Sequence, residues 1–237
     1  MTTKVVTKGV GTTMVAVEDL VELRELDGSF TPGGLGAVGW SASEVYGGTV
    51  FLIRQSAAVR ALVEKVQAVI RTEIGDDEPQ SIHLKRAGAD LLGAVKAAQQ
   101  AVRSATDVQN LARALFEAAG FSPDSICLDG VYLRVQPPGP THAGLPTAPL
   151  PSHRDCWTSN LYSQINWWAP VFSVTKGRTI TFYPDYWSKP IPNTSQDWNL
   201  DEISARKAKA EAGDYPVLPA ILEPVKSLNE LRIIAEP

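Results

Sequence analysis

A chain of 237 residues holds one sizeable domain or two small ones, and its 44% apolar and 20% charged residues are those of an ordinary globular protein. Its 22 Lys and Arg against 26 Asp and Glu leave a formal charge of -4, with no basic face to neutralise phosphates, so nucleic acid is not an expected partner. No apolar run approaches the ~20 residues of a membrane span, residues 1–17 lack a signal-peptide apolar region, and two cysteines are too few for a disulfide scaffold, so a cytoplasmic protein with reduced thiols and no membrane partner is expected.

In chain order, "GGLGAVG" at 33–39 contains G-x-G-x-x-G at Gly34, Gly36 and Gly39. A dinucleotide site needs a strand before it and a helix opening on it. The flanks "DGSFTP" and "WSASEVYGG" provide neither, so the segment reads as a loop. Residues 56–75 place Val59, Leu62, Val63, Val66, Ile70 and Ile74 at helical spacing, with Ser56 as N-cap and Gly75 as the stop. Residues 86–104 and 107–120 repeat the pattern, the latter ending on Gly120. Each of the three helices should bury one face against a sheet or against the others.

After "FSPDS" the pattern turns to short β runs. "ICLDGVYLRVQPPG" alternates about Val131, Leu133 and Val135, and "LYSQINWWAPVFSV", "RTITFYP" and "ELRIIAEP" follow between Gly, Pro and Asn. Residues 138–151 are a Pro-rich loop, and 192–213 form an insertion with a charged helix at its centre. Helices first and short strands after predict an α+β domain, its helices buttressing a β-sandwich or jelly roll.

The chemistry-bearing stretch is "PLPSHRDCWTSNLYSQINWWAP", residues 149–170. On a strand, His153 and Asp155 project to one face and aim an imidazole and a carboxylate at one point. That pair is two-thirds of the 2-His-1-carboxylate set that holds Fe(II) with positions left open. Cys156 would fall on the opposite strand face and pack. Gln164, Asn166 and Trp168 share a face of the next run. Their amides line a cavity for a carboxylate ligand, or they face solvent while Trp167 enters the core. Arg134 offers a bidentate fork to a cofactor or substrate carboxylate, or is an ordinary edge-strand arginine. Trp157 walls a substrate pocket or packs.

"HRDCWTSNLYSQINWWAPV" followed by "RTITFYPDYWSKPIPNTSQDW" resembles the phytanoyl-CoA dioxygenase-like branch of the Fe(II)/2-oxoglutarate-dependent oxygenases. The resemblance covers about residues 125–237 and rests on the combined H-R-D-x-W, Q-x-N-W-W and Y-W-x-x-P-x-x-N-x-S pattern, since H-x-D alone is weakly specific. It implies a double-stranded β-helix (a cupin-like jelly roll), iron on His153 and Asp155, and 2-oxoglutarate and O2 as co-substrates. Gln164, Asn166 and Arg134 are then expected at the cofactor and Trp157 at a small-molecule substrate. Asp155 is present where halogenases of the superfamily carry a small residue, which favours hydroxylation or desaturation.

One departure follows. No histidine succeeds His153, so the distal His and the Arg after it are expected to be missing. Tyr183, Asp185 and His142 are the substitutes within the chain. The expectation is a single domain over 1–237, with 1–124 mainly helical support and 125–237 a β-helix core incomplete at its C-terminal end. The other reading is a non-catalytic binding protein, or a site completed by a second polypeptide, with self-association or a partner chain at the open sheet edge.

Overall fold

Residues 23–27, 42–54, 56–122, 124–136, 152–159, 161, 163–175, 177–199, 201, 219–226 and 229–233 are described by the computed structural model. In chain order they contain strand β1 (Leu23–Asp27), helix α1 (Ala42–Tyr46), strand β2 (Val50–Arg54) and helix α2 (Ala57–Ile74). Helices α3 (Ile82–Lys85), α4 (Gly88–Ser104), α5 (Thr106–Ala118) and α6 (Cys156–Ser159) follow, then the two-residue strands β3 (Thr181–Phe182) and β4 (Leu231–Arg232). The segments 33–39 and 138–151, His142 included, and nearly all of the helix expected within 192–213 lie outside the described residues.

The ends of α2 are set by side-chain and backbone chemistry at two positions. Ser56 sits in extended backbone and its Oγ accepts from Val59 N at 3.3 Å, which satisfies one of the open N–H groups of the first turn. Gly75 adopts φ 67°, a conformation costly for any residue with a Cβ, and its N–H closes onto Arg71 O at 3.0 Å. Between them Val63, Val66, Ile70 and Ile74 form one buried stripe. It meets Leu91, Ala94, Val95 and Val102 of α4 and Val108 of α5 in a single apolar core. Small residues at Ala94, Ala98 and Ala112 let the helices approach closely.

Sheet structure is sparse. β1 and β2 pair in parallel from Leu23↔Val50 to Asp27↔Arg54, with α1 in the connection between them. β3 and β4 pair antiparallel through Thr181↔Arg232 and Phe182↔Leu231, and an isolated bridge joins Asn193 to Ile221. Among the described residues no barrel of strands closes, so the expected jelly roll is not laid out by these ladders.

Among the described residues of the runs expected as strands about Val131, Leu133 and Val135 and over 161–174, none enters a ladder, and burial alternates over 131–136 and 164–168. Val131, Leu133, Val135, Val171 and Phe172 pack on the helical core, while Tyr132, Arg134 and Gln136 are exposed. Glutamine side chains from the helical half supply hydrogen bonds that neighbouring strands usually supply. Gln67 Nε2 donates to Val171 O at 2.6 Å, Gln80 Nε2 to Ser173 O at 3.0 Å and Gln99 Nε2 to Leu133 O at 3.1 Å. Gln109 does more: its Oε1 accepts from Val131 N at 3.1 Å while its Nε2 donates to Arg103 O at 3.1 Å and Val102 O at 3.4 Å. The amide therefore joins the end of α4 to the segment that carries Arg134. Gly130 lies beside it at φ 117°, and a Cβ there would stand 3.3 Å from Gln109 Oε1.

Replacing Gln109 by Leu leaves the Val131 N–H without its acceptor and strips a donor from the end of α4. The expected loss is about 1–3 kcal/mol in urea unfolding. Gln100→Leu, on the exposed side of α4 where the amide donates to Ser104 Oγ, should cost under about 0.5 kcal/mol. Equal losses in the two variants would show that Gln109 is not a junction.

Candidate functional site

His153, Asp155, Gln164 and Asn166 form one connected group, and Arg134 lies close enough for its charge to act on Asp155. The local backbone differs from the strand expected at 153–155. Residues 152–154 have no regular structure, Asp155 is in a turn, and α6 begins at Cys156. The cause is local hydrogen bonding. Asp155 O accepts from Thr158 N at 3.1 Å and Thr158 Oγ1 at 2.8 Å, and more distantly from Ser159 N and Oγ. Short hydroxyl side chains offering such bonds draw the chain from an extended form into a turn. Cys156 accordingly opens a short helix and is half-buried there, instead of occupying the far face of a strand.

The turn brings the imidazole and carboxylate together, with His153 Nε2 lying 3.2 Å from Asp155 Oδ1. The second carboxylate oxygen, Oδ2, accepts from Asn166 Nδ2, and Asn166 Oδ1 accepts from Gln164 Nε2 at 2.6 Å. Gln164 thus fixes Asn166, which fixes the carboxylate. The backbone before Gln164 is tied down by Tyr46 at the end of α1, whose hydroxyl donates to Ser163 O at 2.7 Å. Exposure alternates from Gln164 to Trp168, so Ile165 and Trp167 turn inward. Trp167 meets Phe116 and Phe121 edge to face, with ring centroids 5.0 and 6.0 Å away. The amides are therefore outward, as in the solvent-facing alternative, yet they are bonded to Asp155 and to each other.

The surrounding charges act in consistent directions. The bond from His153 foremost, helped by Asn166 and Arg134, holds the Asp155 carboxyl below the usual carboxylate range against the opposing effect of burial. Partial burial lowers the Arg134 guanidinium from its ordinary value, and Asp155 works against that fall. Trp157 is half-buried in α6, whose Thr158 carbonyl accepts from Trp198 Nε1 at 2.9 Å.

Arg154 was not singled out in the sequence. Its Nη2 donates to Tyr186 O at 2.5 Å and Lys189 O at 2.6 Å, which fastens the 184–189 turn against the residue between the imidazole and the carboxylate. That turn also receives the chain near 226–229. Tyr186 Oη accepts from Lys226 N at 2.9 Å, and Asp185 Oδ1 accepts from Asn229 Nδ2 at 3.3 Å. A basic residue inside H-x-D was the only local clue, because both carbonyl partners lie more than thirty residues downstream.

The donor set fits a divalent cation in part. Two ligand atoms at bonds of about 2.1 Å stand about 3.0 Å apart at octahedral angles and about 3.4 Å at tetrahedral ones. The 3.2 Å between His153 Nε2 and Asp155 Oδ1 falls in that range, and one carboxylate oxygen is already held by an amide. Among the described residues no group of three His, Cys, Asp or Glu side chains gathers, so neither His83 nor Asp185 joins the pair. Tyr183 is half-buried on the strand side of the 184–189 turn. Among the described residues, too, no helix is long and apolar enough to cross a membrane.

Two outcomes follow. Because the folded carboxyl of Asp155 is held low, its contribution to stability is complete above the unfolded value near 3.9 and is lost as pH falls through the folded value. The side chain is 56% exposed, so screening keeps that contribution under about 1 kcal/mol. Asp155→Asn should therefore show a small deficit in urea at about pH 5 that shrinks as pH falls below the ordinary carboxylate value; a deficit unchanged as the pH falls would remove the ionic role. Arg154→Ala should cost about 1–3 kcal/mol, with Lys restoring only part because it lacks the guanidinium fork. Full recovery with Lys would show that charge alone suffices.

No family model, curated protein or solved structure matches this chain, so the chemistry of the site rests on its own residues and their geometry.

Proposed function

We propose that this chain is an Fe(II)- and 2-oxoglutarate-dependent oxygenase that hydroxylates or desaturates a small molecule, built on a double-stranded β-helix core. The observation that carries this reading is the 3.2 Å approach of His153 Nε2 to Asp155 Oδ1, with Asn166 holding the other carboxylate oxygen. Histidine nitrogen and carboxylate oxygen are the donors that a non-haem iron centre uses, and outer-shell amides that orient such carboxylates support metal affinity.

In this reading His153 and Asp155 would hold the metal. Bound Fe(II), with 2-oxoglutarate as reductant, supplies the activation of O2. The chain's own residues prepare that site. Asn166 keeps Asp155 from turning away from His153, and Gln164 keeps Asn166 in register. Arg134 places a positive charge near Asp155, where it can bind and orient a carboxylate of the co-substrate or of the substrate. Trp157 then borders the substrate side. A cytoplasmic setting, with reduced Cys127 and Cys156, suits an enzyme that works with ferrous iron.

A second reading is favoured by the two-member donor set. With no third His, Cys, Asp or Glu gathered among the described residues, the fold would serve as a non-catalytic binding protein, or its site would be completed by another polypeptide.

Anaerobic titration of the purified chain with Fe(II) and 2-oxoglutarate tests both readings. The expected result is a visible charge-transfer band whose formation is weak but specific. It should weaken about tenfold or more in His153→Ala and Asp155→Ala, and about 10–100-fold in Asn166→Leu through loss of the outer-shell amide. Succinate formation on admission of O2 supports the oxygenase. A band without succinate supports the second reading, and identical titrations of the wild-type chain and the His153 and Asp155 variants exclude a metal at this pair.

A further inference from the structure

Two neighbouring tryptophans in the site segment have opposite fates. Trp167 is half-buried against Phe116 and Phe121, whereas Trp168 leaves 41% of its surface in solvent. An indole is among the largest apolar surfaces a side chain can leave in water, and burying it would stabilise the fold. Trp168 occupies the same phase of the alternating segment as Gln164 and Asn166, two residues beyond the amide that holds Asp155. In an extended chain that step places the indole about 6–7 Å along the segment from Asn166, on the same side. The anchored ring of Trp167 holds the backbone beneath it, so the exposed ring is presented from a fixed support. A positive charge is also near, since Arg134 lies close enough to act on Asp155.

An exposed aromatic face beside hydrogen-bonding amides and a guanidinium recognises a flat ring bearing a carboxylate: the ring stacks, and the anionic end finds Arg134 and Asn166. We propose that Trp168 is the platform of the substrate subsite, and that the substrate is an aromatic or similarly planar carboxylate. This assignment of substrate class rests on the oxygenase reading of the same site, while the stacking contact itself needs no metal.

The test uses the full chain and three probes: benzoate, cyclohexanecarboxylate and acetate. Each is titrated by NMR while the tryptophan indole N–H signals are followed, with that of Trp168 identified by its loss in Trp168→Phe. Benzoate should shift the Trp168 signal and bind about fivefold or more tightly than acetate, with cyclohexanecarboxylate in between. Trp168→Ala should remove that advantage, Trp168→Phe should keep most of it, and Arg134→Gln should weaken all three probes. Trp187→Ala, which changes another exposed indole (44%), should leave benzoate binding as it was.

Benzoate binding no better than acetate, or equally well to Trp168→Ala, overturns the proposal; so does a loss seen in Trp187→Ala but not in Trp168→Ala. The same samples are then titrated with Co(II). If benzoate behaves as expected while Co(II) shows no dependence on His153, the oxygenase reading fails and the platform stands. If Co(II) binding depends on His153 but Trp168→Ala binds benzoate normally, the platform fails and the metal site stands.

Discussion

A backbone that runs extended over a helical layer must find partners for its N–H and C=O groups, or lose their hydration without return. Here that requirement is met in part by amides on the helices. Gln67, Gln80 and Gln99 each donate to a main-chain carbonyl of a segment that has no ladder partner among the described residues, and Gln109 accepts from Val131 N while donating to the end of α4. These contacts set the phase of the chain as well as its position. With Val131, Leu133 and Val135 turned to the core, Arg134 must face outward, towards the charge of Asp155. A shift of one residue at Gln109 would exchange Arg134 for an apolar neighbour.

The site obeys a second constraint, imposed by a turn. A carboxylate that leads into a helix often caps it through its side chain. In Asp155 the main-chain carbonyl takes the bonds from Thr158 and Ser159, which leaves both carboxylate oxygens for His153 and Asn166. Arg154 points elsewhere and binds two carbonyls of the 184–189 turn. Of three consecutive residues the outer two therefore meet each other, while the middle one ties the segment to the 184–189 turn.

Much of the helical half was legible because its signals are local. Ser56 and Gly75 bracket α2 by mechanisms that operate within one turn, and the apolar spacing of 56–75, 86–104 and 107–120 identifies the buried stripes. The nearness of His153 to Asp155 was also legible from their spacing, although the element was not. A strand and a tight turn can both bring residues i and i+2 together, and the Thr158 and Ser159 hydroxyls that decide between them act through the backbone. The glutamine contacts were not legible, because a glutamine on a helix carries no mark of the distant carbonyl it will meet. Arg154 was hidden for the same reason. The alternation at 131–135 and 164–168 was read as strands, yet neither segment enters a ladder, because alternation reports burial and is silent on what satisfies the backbone.

The small antiparallel pair at Thr181–Phe182 and Leu231–Arg232, with Thr179 Oγ1 donating to Ile233 O, joins parts of the chain some fifty residues apart. Contacts across so long a separation must meet the entropy of closing it with help from other contacts. The helices α2, α4 and α5 are linked by short connections and need no such help. In the native state so small a ladder opens at a lower free energy than the helical core. Slow amide exchange would be concentrated in α2, α4 and α5, and access to the Arg154-held turn would be governed by breathing of that closure, without unfolding of the helical layer.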